Sequence, residues 1–269
     1  MKTFCRSIGL PEEVLQAVDA IHCDPAFHPD THLLRREQTW DQGLEQLQKE
    51  LDPDPRGFKL LCCQLRCALE AWEDYRRMGI SREIYLATMG AFSRFLREHL
   101  ESYGTYAFDR AFWTVRQISC TLFRIGTLEY ELTRRDGVPE ISVHIPGDAV
   151  LERTEMRRSY LDARAFLRQY FPEYAQARFW CRSWLLSPEL SQLLPEHSRI
   201  LDFQRSFCAQ PASTPSTGVR LWVFKNPSLP LDHVPQNTSL QRSLKAFLLA
   251  GGEFYDGMGY LSEDPFQSR

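Results

Sequence analysis

The stretch Leu128–Asp148, LEYELTRRDGVPEISVHIPGD, carries the reading on which the fold of the second half of the chain turns. Apolar and polar residues alternate on either side of Asp136-Gly137. This is the pattern of two half-buried strands joined by a two-residue type I′ turn, which asks for positive φ at both central positions. The turn sets a register. Leu132 faces Ile141, Tyr130 faces Val143 and Leu128 faces Ile145 on an apolar side, while Glu131 meets Ser142 and Glu129 meets His144 on the other. A slip of one residue would set core side chains against polar ones, so the apolar match supports the register independently of function. Pro139, beside the turn, is the residue that argues for a wider loop and a shifted pairing.

From His144 and Ile145 the chain passes through PGDAVLERT into a helix-spaced segment, 155–170, with Met156, Tyr160, Ala163, Leu167 and Tyr170 on one face. Thr154 is its expected cap and Phe171-Pro172 its stop. The next segment, ARFWCRSWLL at 177–186, alternates again. Strand, helix, strand is a crossover that makes the two strands parallel, in a sheet that also holds a hairpin. LFRIGTLEYEL before the turn, and RILDFQRSF (199–207), VRLWVF (219–224) and EFYDGMGYL (253–261) after it, read as further strands. SPELSQLLP reads as a short helix capped by Ser187. A longer helix starts at Thr238 or Ser239, buries Leu240, Leu244, Phe247 and Leu248, and ends at Gly251-Gly252. The run CAQPASTPSTG reads as an exposed, mobile loop.

The first part of the chain repeats at the helical period instead. PEEVLQAVDAI, DQGLEQLQKEL and GFKLLCCQLRCALEAWEDY each carry an apolar stripe. Ser81 caps a helix in which Ile84, Thr88, Phe92, Phe95 and His99 share a face, and DRAFWTVRQIS adds a short one. The expected organisation is therefore α+β: a helical N-terminal domain over 1–117, followed by a mixed-sheet α/β domain over 118–269.

Composition narrows the function classes. The 269 residues are 43% hydrophobic and 12% aromatic, enough for a sizeable core. Charge is nearly balanced, 32 Lys and Arg against 35 Asp and Glu, and scattered, so no basic stripe points to nucleic acid and no polybasic tail to a membrane surface. Gly9, Pro11, Glu12 and Glu13 interrupt the start before a signal peptide's apolar run can form. Clusters such as WLL and AFLLA fall far short of the ~20 residues of a membrane span. The expected location is the cytoplasm. Eight cysteines, irregularly spaced, read as reduced core filler there, Cys62, Cys63 and Cys67 included, and no metal is expected. His28 and His32 read as loop histidines among prolines.

On the polar face of the hairpin, Glu129 is close enough to hold a His144 tautomer, and the pair can take a proton from an attacking amine. Glu131 and Ser142 extend the patch; a solvated sheet face is the competing reading. His144 also lies one residue from a loop leading into a helix N-terminus, where free N–H groups attract anions. Arg153, Arg157 and Arg158 surround that start, against the preference of the helix dipole, as a bound phosphate would favour. Cys181 is an alternative acyl-carrying nucleophile if it is not core, and Arg182 falls on the opposite face of its strand. Phe112, Trp113 and Trp180 read as packing residues.

The segments LFRIGTLEYEL, SVHIPGDAVL, FWCRSWLLSPELSQLLPEHSRILDFQRSF and TSLQRSLKAFLLAGG resemble a family of bacterial acyltransferase-domain proteins. Its members have a helical N-terminal domain and a C-terminal domain like that of the GNAT N-acyltransferases. The resemblance spans GISREIYLATM through GMGYL. It implies an N-acyltransferase that moves an acyl group directly from acetyl-CoA or another acyl-CoA to a small amine, with Glu129 and His144 as base. The strand EISVHI would run beside the pantetheine, which places Val143, Ile145 and Gly147 at the cofactor and Arg153 and Arg157 at its phosphates. The superfamily's diphosphate loop, Arg/Gln-x-x-Gly-x-Gly/Ala, is not reproduced, since PGDAVLERT has one Gly. Two readings follow: CoA binds with help from the arginines, or the domain is a non-catalytic ligand-binding or interaction module.

Overall fold

The computed structural model describes residues 1–262; the last residues of the expected sheet domain, 263–269, lie outside the described residues. The chain divides into two compact units, Met1–Ile125 and Gly126–Arg269.

The first unit holds seven α-helices, α1 (Lys2–Ser7), α2 (Glu12–His22), α3 (Trp40–Glu50), α4 (Phe58–Arg77), α5 (Arg82–Met89), α6 (Ala91–Tyr103) and α7 (Ala111–Ile118), a 3-10 turn at His32–Arg35 and a short strand β1 (Leu122–Ile125). α4 is its axis, packed against α2 and α7, with Leu61, Cys62, Cys63, Leu65, Cys67 and Ala68 all fully buried. A stripe that wide belongs to a helix enclosed on several sides. Burial pushes the thiols of Cys62 and Cys67 up to about 11 and that of Cys63 up to about 12. Polar groups inside are bonded: Gln64 Nε2 donates to the Ala111 carbonyl at 2.9 Å and the Tyr85 hydroxyl to the Ala68 carbonyl at 2.8 Å. Ser81 caps α5 as expected, accepting the Ile84 N–H at 3.4 Å. The helix expected to run on to His99 instead divides at Gly90. Thr88 Oγ1 bonds back to the Ile84 carbonyl and accepts the Arg124 N–H, and glycine follows at the weakest helical position.

The second unit comprises β2 (Leu128–Arg135), β3 (Val138–His144), α8 (Arg153–Tyr170), β4 (Arg178–Ser183), α9 (Leu190–Leu193), α10 (Arg199–Arg205), β5 (Phe207–Pro215), α11 (Ser239–Leu249) and β6 (Tyr255–Leu261). Its strands lie in the order β2-β3-β4-β6-β5, parallel between β3 and β4 and antiparallel at the other three pairings. The hairpin is the expected one. Asp136 and Gly137 take φ of 51° and 80°, and the ladder pairs Tyr130 with Val143, Glu131 with Ser142 and Glu129 with His144. α8 covers one face: the Tyr130 ring lies 5.6 Å from Phe179 and 6.2 Å from Tyr160, and its hydroxyl is 2.8 Å from Ser159 Oγ. Two such ring contacts add about 1–3 kcal/mol to the area they bury. A separate core of Leu190, Leu201, Val219, Val223, Phe224, Val234, Leu244 and Phe254 holds the later helices.

Several local expectations are corrected. RILDFQRSF is the helix α10 leading into β5, with Ser198 Oγ capping it through the Ile200 N–H; Leu201 and Phe203, two apart, imitate a strand. VRLWVF is a helical turn over Val219–Val223, whose end residues, four apart, both reach that separate core. CAQPASTPSTG is mostly β5, paired with β6 around a register shift between Gln210 and Thr214. Thr154 lies inside α8, whose N-cap is Glu152. Ser187 hydrogen-bonds Glu189, the N-cap of α9, instead of capping that helix itself. LFRIGTLEYEL breaks at Gly126, where φ of 61° and a Ser159 Cβ only 3.2 Å from any added side chain favour glycine. Thr238 does cap α11, in a reciprocal box with Gln241.

Candidate functional site

Strand alternation fixes what the face of the sheet opposite α8 presents. Directly paired residues share a face, so Glu129, Glu131 and Thr133 of β2 lie with His144, Ser142 and Glu140 of β3, Trp180 and Arg182 of β4 and Tyr260 of β6. Val143, Phe179 and Cys181 point the other way, toward α8. At the end of β3, His144 Nε2 is 2.7 Å from Glu131 Oε2, with side chains 22% and 15% exposed. Glu129 stands opposite His144 in register and is 1% exposed, and the imidazole bonds the diagonal acid, Glu131. A diagonal pair is within reach of a long side chain, and Glu131 has that length. An ionised Glu131 favours the tautomer with the proton on Nε2, which makes Nδ1 the basic nitrogen.

Beside this pair the sheet splits. Among the described residues the β3/β4 ladder holds Glu140↔Arg178, Ile141↔Phe179 and Ser142↔Trp180, and stops there. β3 continues to His144 paired with β2, and β4 continues to Ser183 paired with β6. Two parallel strands that part while each keeps its outer neighbour form a fork. The main-chain groups of β3 and β4 beyond that rung lie at the carboxyl ends of the strands, where ligands of α/β sheets bind.

The loop after β3 is tied down by Thr127, whose Oγ1 accepts the Val150 N–H at 2.6 Å and donates to the Val150 carbonyl at 3.3 Å. Gly147, Arg153, Arg157 and Arg158 are exposed, Ile145 is half-buried and Val143 is buried at 1% against the α8 side. Arg158 pairs with Asp162 at 3.7 Å, and Arg199 with Glu152 at 3.0 Å. The nucleophile alternative fails on geometry. Cys181 is fully buried, burial pushes its thiol far up, and it lies on the face opposite His144.

The residues the sequence reading missed lie further down the same face. The Tyr260 hydroxyl donates to Glu140 Oε1 at 2.9 Å, and Trp180 Nε1 donates to Thr133 Oγ1 at 3.3 Å. Loss of solvent and the bond to Glu140 raise the Tyr260 phenol above its ordinary value. Period-two counting from the hairpin would have put Glu140 on this face; Tyr260 needed the β4/β6 register, which no local signal in the sequence announces.

Residues 1–120 match the family model described as an N-acyltransferase N-terminal domain, and residues 122–261 match that of a GNAT-like C-terminal domain. The chain is similar to a solved acyltransferase in complex with decanoyl-CoA and teicoplanin, at 25% identity and a TM-score of 0.81, over 96% of this chain and 85% of that one. It is also similar to an acyltransferase in complex with CoA and 10C-teicoplanin (24% identity, TM-score 0.81, 96% and 86% covered). A mutant acyltransferase in complex with octanoyl-CoA is likewise similar (24%, TM-score 0.79, 96% and 86% covered). No curated protein matches. Among the described residues, no helix is long and apolar enough to cross a membrane.

Proposed function

We propose an acyl-CoA-dependent N-acyltransferase, from the premise that the chain belongs to the family with a GNAT-like C-terminal domain behind an N-acyltransferase N-terminal domain. The observation that carries the reading is the fork between β3 and β4 with the Glu131–His144 pair at its mouth. A pantetheine arm contains two amides, and an extended amide chain is what unladdered strand edges can bind. The acyl donor lies in the fork beside Val143 and Ile145; its phosphates reach Gly147 and the exposed Arg153 and Arg157. The acceptor's amine nitrogen attacks the thioester carbonyl carbon, the C–S bond breaks and CoA leaves as thiolate. His144 takes the ammonium proton and Glu131 holds the imidazole in the basic tautomer. The octanoyl- and decanoyl-CoA of the similar structures support a medium-chain donor beside acetyl-CoA, and their teicoplanin supports an acceptor amine on a molecule larger than a small metabolite.

The single glycine of PGDAVLERT favours a second reading, a binding module without acyl transfer. Calorimetric titration with acetyl-, octanoyl- and decanoyl-CoA separates the two: binding below millimolar concentration is expected, and no binding at millimolar concentration selects the module. His144→Ala is expected to lower kcat about a hundredfold or more while leaving donor Kd unchanged; equal loss of both would remove His144 from the chemistry.

A further inference from the structure

The fork has two arms, β2/β3 and β4/β6, and past the Ser142–Trp180 rung the main-chain pairings run within the arms. Where the arms join, side chains on the face opposite α8 cross from one to the other. Trp180 of β4 passes over β3 to donate to Thr133 of β2. Tyr260 of β6 passes over β4 to donate to Glu140 of β3. The Arg135 guanidinium, from β2, sits 5.1 Å from the Trp180 ring centroid and 5.9 Å from that of Tyr260, and Arg178 lies 3.5 Å over the Tyr260 ring.

Glu140 is the centre of this cluster and an expensive residue to keep there. Its side chain is 9% exposed. Arg135 Nε is 3.2 Å from Oε2 as an ion pair, yet Oε2 receives no aligned hydrogen bond. A buried carboxylate so incompletely satisfied contributes less to stability than an apolar pair of similar volume. What it supplies is direction. The Tyr260–Glu140 bond ties β6 to β3 across β4, next to the last rung that β3 and β4 share before the arms part. A displacement there grows along strands that rise about 3.3 Å per residue.

We infer that Tyr260 and Glu140 form a strap that sets the opening of the β3/β4 fork, and that they are positioning residues for the acyl donor. The donor half rests on the function proposed above; the strap itself does not.

The test uses the full chain, the variants Tyr260→Phe and Glu140→Gln, amide hydrogen exchange without ligand, and calorimetry with CoA. Phenylalanine keeps the ring under Arg178 and removes only the hydroxyl. In Tyr260→Phe, exchange over 143–145 and 181–183 is expected to quicken on the order of tenfold with α4 unchanged. Kd for CoA should weaken about tenfold, and kcat at saturating donor should stay within about twofold of wild type. Glu140→Gln, which still accepts from Tyr260, is expected to keep both within about threefold. Unchanged exchange at the two segments in Tyr260→Phe, a uniform rise through the whole sheet, or a fall in kcat with Kd unmoved overturns the strap. A wild-type protein that binds no CoA overturns the donor half and the proposed function, and the exchange data then decide the strap alone.

Discussion

The bond between His144 and Glu131 follows from the lengths of side chains on a pleated surface. Directly opposed residues have the closer Cβ atoms, but a glutamate is long enough to meet the diagonal neighbour, and Glu131 does so at 2.7 Å. Glu131→Gln should therefore lower kcat about tenfold, since a neutral amide no longer stabilises the imidazolium, with donor Kd unchanged; steady-state kinetics beside calorimetry check this, and a wild-type kcat would leave Glu131 without the orienting role. Cys181 gives the opposite expectation. Cys181→Ala should retain turnover and lose about 1 kcal/mol of stability for the vacated core volume, read from urea midpoints; abolished turnover would return the thiol to the mechanism.

Among the elements, the β4/β6 pairing has no room for added bulk at Gly257. A Cβ at Gly257 would collide with the Leu186 carbonyl, which is backbone and cannot swing aside. Gly257→Ala should cost about 2–4 kcal/mol and loosen the arm that carries Trp180, whereas Gly137→Ala, at φ of 80° but with open space around it, should cost about 1 kcal/mol. Equal losses in denaturant titrations would contradict this ranking. The elements also separate what could be read locally from what could not. The hairpin was legible because its turn chemistry and its apolar alternation agree. α10 was not, because Leu201 and Phe203 satisfy a two-residue period by accident and only the Ser198 cap and the core beneath decide for helix.

For the molecule as a whole, thiol burial makes a pH prediction. Cys5, Cys62 and Cys67 are pushed up to about 11, and Cys63 and Cys120 up to about 12, from an ordinary 9.0, all chiefly by burial. Each folded-state value is raised, so above pH 9 the unfolded chain binds fewer protons than the folded one. Stability should then fall as pH rises from 9 toward 11, by up to about 1.4 kcal/mol per pH unit for each thiol; a urea midpoint constant over that window would refute it. At pH 8 a thiol reagent should titrate Cys23 and Cys208, the two exposed cysteines, and reach the others after unfolding. Donor binding should also raise Tm. CoA at a hundredfold excess over Kd adds about 2.7 kcal/mol, which for a chain of this size is on the order of 5–10 °C.

Sequence by itself determined the helical first part, the hairpin and its register, the crossover and the side of the sheet on which Glu131, Ser142 and His144 lie. All of these follow from periods and turn residues within a few positions of each other, where backbone geometry leaves few choices. Only the tertiary structure decided which acid bonds His144, where β3 and β4 part, and that Tyr260 meets Glu140 from 120 residues away. Those contacts depend on strand order and on how long side chains settle against neighbours distant in sequence, and no local period encodes either.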